Sequence, residues 1–362
     1  MEFISAIAPK KTAIRRSLLR WYSANARKLP WRQTHDPYRI WVSEIMLQQT
    51  RAETVIPYYR RFLRAFPTVD ALAAAPLDEV LKLWEGLGYY SRARNLHAAA
   101  KLVVAERASR LPSTADQLRR LPGIGRYSAG AIASIAFGEA APVLDGNVKR
   151  VLARLGAVGR SIDAPAVVKA LWRVADELVT PHRPGDFNQA MMELGARICT
   201  PRRPDCPQCP LRRQCDALAD GLQHKLPVRR KPKNVPHYPI VAAAIVKRGR
   251  YLLGQRPPDA MLGGLWEFPG GKIARGETHA QALKREVAEE VGLSITVGER
   301  IARVEHAYSH FRITLYVYRC TVGAGRRRAL YHTRLAWVPP SQFDRYAVPA
   351  ANRSVLNTLS NS

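Results

Sequence analysis

LPGIGRYSAG, residues 121–130, sets two glycines on either side of an isoleucine directly ahead of a helical run. Glycine carries no Cβ, so such a turn lets backbone N–H groups at a helix start approach a phosphate closely. A plain helix–helix turn uses the same residue types, and both readings of Gly123 and Gly125 stand at this point. Outward from the turn, between about residues 12 and 200, apolar positions recur at helical spacing with Pro and Gly marking the breaks, as in ALAAAPLDEVLKLWEGLGYYSRARNLHAAAKLVVA. This half is expected to be nearly all helix.

The chain of 362 residues holds 57 Lys and Arg against 29 Asp and Glu, a formal net charge of +28. Neutralising phosphates releases counterions, so the excess favours a polyanionic partner, nucleic acid ahead of a membrane surface. With 47% hydrophobic residues the length suffices for two domains that fold without disulfides. No run of about 18 apolar residues appears, and the opening MEFISAIAPKKTAIRRSLLRWY has only a short apolar start before its basic run. The expectation is a soluble, intracellular protein, cytoplasmic and nucleoid-associated when on DNA, and monomeric.

Five cysteines are present, and Cys199, Cys206, Cys209 and Cys215 follow the spacing C-x(6)-C-x(2)-C-x(5)-C. Four thiolates so placed suit one local metal site, either zinc or a cubane cluster. Cys320 reads as a buried or idle thiol. After the cluster, QHKLPVRRKPKNVPHYP has four prolines, five Lys or Arg and little to bury. Beyond it the pattern changes to the strand-like runs IVAAAIV, YLLG and FRITLYVYRC around one clear helix. The reading is a mainly α domain over 1–224, with the cysteine loop at 199–215. A basic, Pro-rich linker follows over 225–237, then an α+β domain over 238–362.

Two carboxylates stand out in the helical half. Glu44 lies in an otherwise apolar helical segment, WVSEIMLQQT, and Asp145 precedes Gly146 and Asn147 in VLDGNVKR. Each has a plain alternative, a solvated helix face for Glu44 and a helix cap for Asp145. Taken together, LPWR, EIMLQQT, GLGYYSRARNL, LPGIGRYSAGAI, LDGNVKRVL and NQAMMELGARIC resemble, in order, the helix-hairpin-helix DNA glycosylases, and within them the adenine DNA glycosylase (MutY) branch. The resemblance covers residues 20 to 220.

It implies a [4Fe-4S] cluster on the four cysteines, with Arg202, Arg203, Arg212 and Arg213 against DNA phosphates. It implies Glu44 as the acid that protonates adenine and helps activate water, and Asp145, oriented by Asn147, as the anion facing the sugar cation. Relatives that also cut the strand carry a lysine where this chain has Tyr127, so a monofunctional glycosylase is expected, with Lys149 the nearby amine. For extruding the base, the resemblance implies Gln49 and Tyr89 as the duplex wedge. Trp31, Arg32, Leu47 and Glu193 would surround the flipped adenine. Tyr90 reads as core.

In the second half, GGKIARGETHAQALKREVAEEVGL carries its own helix punctuation. Thr278 and Gln281 have capping-box spacing, Leu283, Val287 and Val291 form a stripe, and Gly292 marks the stop. Glu286, Glu289 and Glu290 share one side of that helix. A salt-bridged exposed face, with Arg285 pairing Glu289, is the plain reading. Yet four of the nine acids between 238 and 362 fall here, counting Glu277, which favours a hard cation such as Mg2+. From Gly271 to Leu293 the stretch resembles the full Nudix signature, G-x(5)-E-x(7)-R-E-U-x-E-E-x-G-U with U aliphatic, and its surroundings look like the MutT type. HAYSHF, residues 306–311, is similar to the loop with which the glycosylase branch contacts 8-oxoguanine, which points to Tyr308, Ser309 and His310.

Three readings follow. The second domain only reads the lesion opposite adenine, or it also hydrolyses 8-oxo-dGTP to the monophosphate with Mg2+ held by Gly271, Glu286, Glu289 and Glu290, or the chain is a non-catalytic DNA-binding protein. The first two make double-stranded DNA with adenine opposite 8-oxoguanine or guanine the substrate.

Overall fold

The structure, a computed structural model, describes residues 7–229, 234–308 and 310–360. In chain order its helices are α1 Lys11–Asn25, α2 Pro37–Leu47, α3 Ala52–Ala65, α4 Val69–Ala74, α5 Leu77–Trp84, α6 Ser91–Arg107, α7 Ala115–Leu118, α8 Arg126–Phe137, α9 Gly146–Leu155, α10 Pro165–Leu178, α11 Pro184–Arg197, α12 Asp216–Ala219, α13 His279–Val291 and α14 Ala350–Ser360. The strands are β1 His237–Lys247, β2 Arg250–Gln255, β3 Trp266–Glu267, β4 Gly270–Lys272, β5 Ile295–Ala307, β6 Arg312–Val322 and β7 Arg334–Val338. Contacts divide the chain into two compact units, Met1–Ala73 with Ala98–Pro232, and Ala74–His97 with Lys233–Ser362. Residues 74–97, helical as the sequence indicates, are grouped with the second unit. Among the described residues no helix is long and apolar enough to cross a membrane.

The first unit is helical, and its core is built from stripes on five helices. Ile14 and Leu18 of α1, Ala131 of α8, Val148 and Leu152 of α9, Val167 and Leu171 of α10, and Ala190 and Leu194 of α11 are all buried in one cluster. Three N-termini are set by side chains. Asp36 caps α2, accepting from the Tyr38 N–H at 2.9 Å, with Pro37 at the first helical position. Thr114 caps α7, and Asp145 caps α9, accepting from the Val148 N–H at 2.7 Å.

The second unit is built on a seven-stranded mixed sheet in the order β3-β2-β1-β6-β5, with β4 paired to β1 and β7 to β2. β1 and β6 run parallel; the other pairings are antiparallel. The apolar run of β1 alternates between two cores, as a strand buried on both faces must. Val241, Ala243 and Ile245 meet Leu283, Val287 and Val291 of α13, while Ala242 and Ala244 share a cluster with Val355, Leu356 and Leu359 of α14. α13 carries every signal its sequence announces, with both reciprocal bonds of the Thr278–Gln281 capping box and a left-handed Gly292 at its end.

Candidate active site

A cavity of about 870 Å3 in the first unit gathers Glu44, Tyr127, Asp145, Asn147, Trp31, Arg32, Leu47, Gln49 and Glu193 on its lining. These residues come from α2, α8, α9, α11 and the turn Pro30–Arg32, so packing of the whole helical unit is needed to bring them together. Glu44 is not on a solvated face: it is 4% exposed, although α2 continues apolar on either side. The Tyr127 hydroxyl donates to Glu44 Oε2 at 3.0 Å and lies 3.1 Å from Met192 Sδ. Burial pushes the Glu44 carboxyl up to about 7, with the bond from Tyr127 lowering it and the Asp145 charge raising it further. A carboxyl at that value can give up or hold a proton near neutrality.

Asp145 serves both alternatives at once, capping α9 and facing the cavity. Its Oδ1 accepts from the Val148 N–H at 2.7 Å and its Oδ2 from Asn147 Nδ2 at 3.0 Å. Burial raises its pKa, and these bonds work against that by favouring the anion. Asn147 is in turn fixed by Arg150, whose Nη2 donates to Asn147 Oδ1 at 2.8 Å and to the Gly195 carbonyl at 2.7 Å. α9 and α11 touch at this point, since a Cβ on Gly195 would come within 2.6 Å of Asn147 Cβ.

Opposite these groups the Glu193 side chain is fully enclosed. Arg27 Nε and Nη2 donate to its two oxygens at 2.7 and 3.0 Å, and Arg32 Nη2 donates at 2.9 Å. Burial alone would raise its pKa, yet the bonds from Arg27 and Arg32 outweigh this and hold it below the usual value. Glu44 and Glu193 therefore sit in one cavity with opposite tendencies, the first toward the acid and the second toward the anion. Trp31 packs edge-on against Tyr59, with ring centres 5.4 Å apart. Arg27, Arg150, Gln189 and Met192 also line the cavity. Arg150, Gln189 and Met192 fall inside the motifs LDGNVKRVL and NQAMMELGARIC but are not singled out within them, and Arg27, in the loop after α1, lies outside every motif.

At the hairpin, Gly123 adopts a left-handed backbone, φ 76°, and Gly125 caps α8 with no protein atom within 4 Å of where its Cβ would stand. That leaves the helix start open. Gln49, at the end of α2, and Tyr89, in the second unit, both hold φ in the left-handed region, 57° and 49°, where non-glycine residues are strained. Tyr90 is core, as the sequence suggests, and Cys320 is buried.

Cys199, Cys206, Cys209 and Cys215 line one small pocket with Arg154, Arg212 and Gln223. Burial raises the thiols of Cys206 and Cys215, and that of Cys209 to about 12, with neighbouring sulfurs adding to the shift. A cationic group among these sulfurs would offset the cost of ionising them so close together, so the donor set fits a metal cluster. Arg154 Nη1 already donates to Cys199 Sγ at 3.2 Å, and Arg150 Nε to the Cys199 carbonyl at 2.7 Å. Arg202, Arg203, Arg212 and Arg213 stand exposed around the loop. Among the described residues, no three His, Cys, Asp or Glu side chains are gathered as the ligands of a single ion.

In the second unit the Nudix carboxylates are shared out. Arg285 binds Glu277 through Nε at 2.7 Å and Nη2 at 2.9 Å, Glu286 at 2.8 Å and Glu289 at 3.3 Å. That bond to Arg285 draws Glu277 down to about 2. Glu290 turns inward and accepts from the Gly270 N–H at 2.9 Å, and burial beside Glu267 pushes it up to about 8. A Cβ on Gly271 would meet the Glu286 carboxyl at 2.5 Å, so β4 and α13 are in direct contact at the box. Tyr308 stacks on Phe311 at 4.7 Å, half-buried against the core of the unit; His310 is exposed, and Ser309 lies outside the described residues.

A helical unit with this cavity and hairpin, followed by a sheet unit with this box, defines a base-excision glycosylase joined to a Nudix domain. Residues 42–177 match the family model described as HhH-GPD superfamily base excision DNA repair protein, and residues 241–358 match that of the NUDIX domain. The adenine DNA glycosylase of Homo sapiens is 38% identical over 95% of this chain and 73% of its own length, and that of Mus musculus 40% over 85% and 70%. A thermostable thymine-DNA glycosylase superposes with a TM-score of 0.54 at 31% identity, covering 59% of this chain and 98% of that one. The chain belongs to the adenine DNA glycosylase family: it is a DNA-binding repair enzyme that cleaves the N-glycosyl bond of adenine.

Proposed function

We propose that the enzyme removes adenine mispaired with 8-oxoguanine or guanine from duplex DNA, as a monofunctional glycosylase acting on an extruded base. The observation that carries this reading is Glu44, buried and held near neutrality by its surroundings, in one cavity with a bonded Asp145. Protonated Glu44 gives its proton to N7 of adenine, the C1′–N9 bond breaks with its electron pair going to the base, and Asp145 faces the resulting sugar cation. Water then adds to C1′ and returns a proton to Glu44. Asn147, fixed by Arg150, keeps Asp145 aimed, and Glu193, anionic between Arg27 and Arg32, offers an acceptor to the N–H groups of the base. Tyr127 supplies no amine, so no Schiff base forms there and the strand stays intact.

Gln49 and Tyr89 act as the wedge, and Gly123 and Gly125 approach a phosphate. Cys199, Cys206, Cys209 and Cys215 would hold a [4Fe-4S] cluster, which when bound would pin the loop whose arginines face DNA. The Nudix domain reads the lesion through the 308–310 loop. The enzyme works as a monomer in the cytoplasm, on the nucleoid. A second reading, hydrolysis of 8-oxo-dGTP, is favoured by the direct contact of Gly271 with Glu286 and by Glu290 on the Gly270 N–H, which draw the box together at one edge. Mg2+ would then lie among Gly271, Glu286, Glu289 and Glu290.

Asp145→Asn tests the catalytic assignment. Single-turnover excision from an adenine:8-oxoguanine duplex should fall by at least about a thousandfold while DNA affinity stays within about twofold of the parent. Excision at the parent rate in this variant would sink it.

A further inference from the structure

Tyr89 sits in a short loop between α5 and α6 whose backbone is unusually constrained. Gly86 and Gly88 have φ of 97° and 70°, and Tyr89 itself takes 49°. Such a conformation persists only where the surroundings over-determine it. Inside the loop, Trp84 Nε1 donates to the Gly88 carbonyl at 3.2 Å, and the Tyr90 hydroxyl accepts from the Gly86 N–H at 3.3 Å. Arg92, nearly buried, donates from Nη2 to the Leu87 and Gly88 carbonyls at 3.1 Å each, and its guanidinium lies 5.4 Å from the Tyr89 ring.

The same loop is bracketed from both sides by groups of the Nudix region, all inside the second unit. Ahead of it, Asp78 in the first turn of α5 accepts from Gln255 Nε2 at 2.8 Å and pairs with Arg334. At the end of α5, Glu85 is held by Arg353 of α14 through two bonds, 2.7 and 3.2 Å. Beyond the loop, Arg94 in the first turn of α6 donates to the Gly263 carbonyl at 2.7 Å. Arg353 is itself fixed by the Tyr346 and Phe343 carbonyls at 2.6 and 3.3 Å. The Glu85–Arg353 pair is therefore bidentate, mostly shielded and pre-set. It lies outside the class of loose surface pairs that contribute little.

We infer that the Nudix region positions the duplex wedge: Arg353, Arg334 and Gln255, through Glu85 and Asp78, are positioning residues that fix Tyr89 for base extrusion. This rests on the reading of Tyr89 as a wedge, given above. It also places Tyr89 in the same compact unit as the 308–310 loop, so lesion reading and extrusion share one scaffold.

The test uses the full chain under single-turnover conditions on two substrates. One is adenine paired with 8-oxoguanine; the other is the same adenine opposite a one-nucleotide gap, where no pairing is left to break and extrusion depends less on a wedge. Arg353→Met should slow the paired substrate by about tenfold and the gapped one by no more than about twofold. Arg353→Lys, which keeps a charged donor beside Glu85 and the Tyr346 and Phe343 carbonyls, should recover part of the loss, which a general folding defect would not allow, and Asp78→Asn should repeat the pattern more weakly. Equal slowing on both substrates, or none on the paired one, overturns the inference. Tyr89→Ala separates the two ideas. If it leaves the paired rate unchanged, the wedge reading itself fails. If it slows that rate while Arg353→Met does not, only the positioning role fails.

Discussion

Glu44 is the residue whose environment departs most from what its sequence suggests. An acid in an apolar helical segment is ordinarily solvated, and only the packing of α2 against α8 turns it into a buried carboxyl beside Tyr127. Its pKa, raised from 4.5 to about 7, makes the folded state bind a proton more tightly than the unfolded chain. Stability from this group is thus fully present below about pH 4.5 and is lost as pH rises through 7. Glu44→Gln should therefore abolish excision by about a thousandfold. It should also add on the order of 3 kcal/mol of stability at pH 8, seen as a higher thermal midpoint, while leaving stability nearly unchanged at pH 4. Melting curves at the two pH values check this, and a lower midpoint at pH 8 would contradict the burial argument. Asp145 was legible as a cap and as an acid, and it is placed where both apply. Arg27, in the loop after α1, was not legible, and Arg150 and Met192, though inside quoted motifs, were not singled out, because a basic or apolar residue gives no sign of which cavity its neighbours will build.

α13 shows what an element can reveal by itself. Its capping box, buried stripe and glycine stop were written locally, and local writing survives folding. The fate of its glutamates was not local: Arg285 takes three of the box's acids, and Glu290 turns to a backbone N–H of β4. The two readings of the box separate on one assay, release of pyrophosphate from 8-oxo-dGTP with Mg2+ by the full chain and by Glu289→Gln. Lesion reading alone expects no metal-dependent release from either protein. Release that disappears in the variant would establish the second activity. Tyr308 teaches the same lesson in reverse, since HAYSHF suggests a contact loop, yet stacking on Phe311 draws its ring toward the core.

Over the whole chain, the change from helical to strand-like pattern located the two architectures, and the cysteine spacing located a loop whose four thiols line one pocket. The grouping of residues 74–97 with the Nudix region could not be read, because it depends on Asp78, Glu85 and Arg94 finding partners more than 160 positions away. The account stands on one enzyme using Glu44 and Asp145 to excise adenine from a lesion-containing pair. The most direct measurement is single-turnover release of free adenine by the full chain from duplexes differing only in the base opposite adenine: 8-oxoguanine, guanine or thymine. The account predicts release opposite 8-oxoguanine and guanine, none opposite thymine, and strand breakage only after alkali. Equal release from all three duplexes, or no adenine released from the 8-oxoguanine pair, would contradict it.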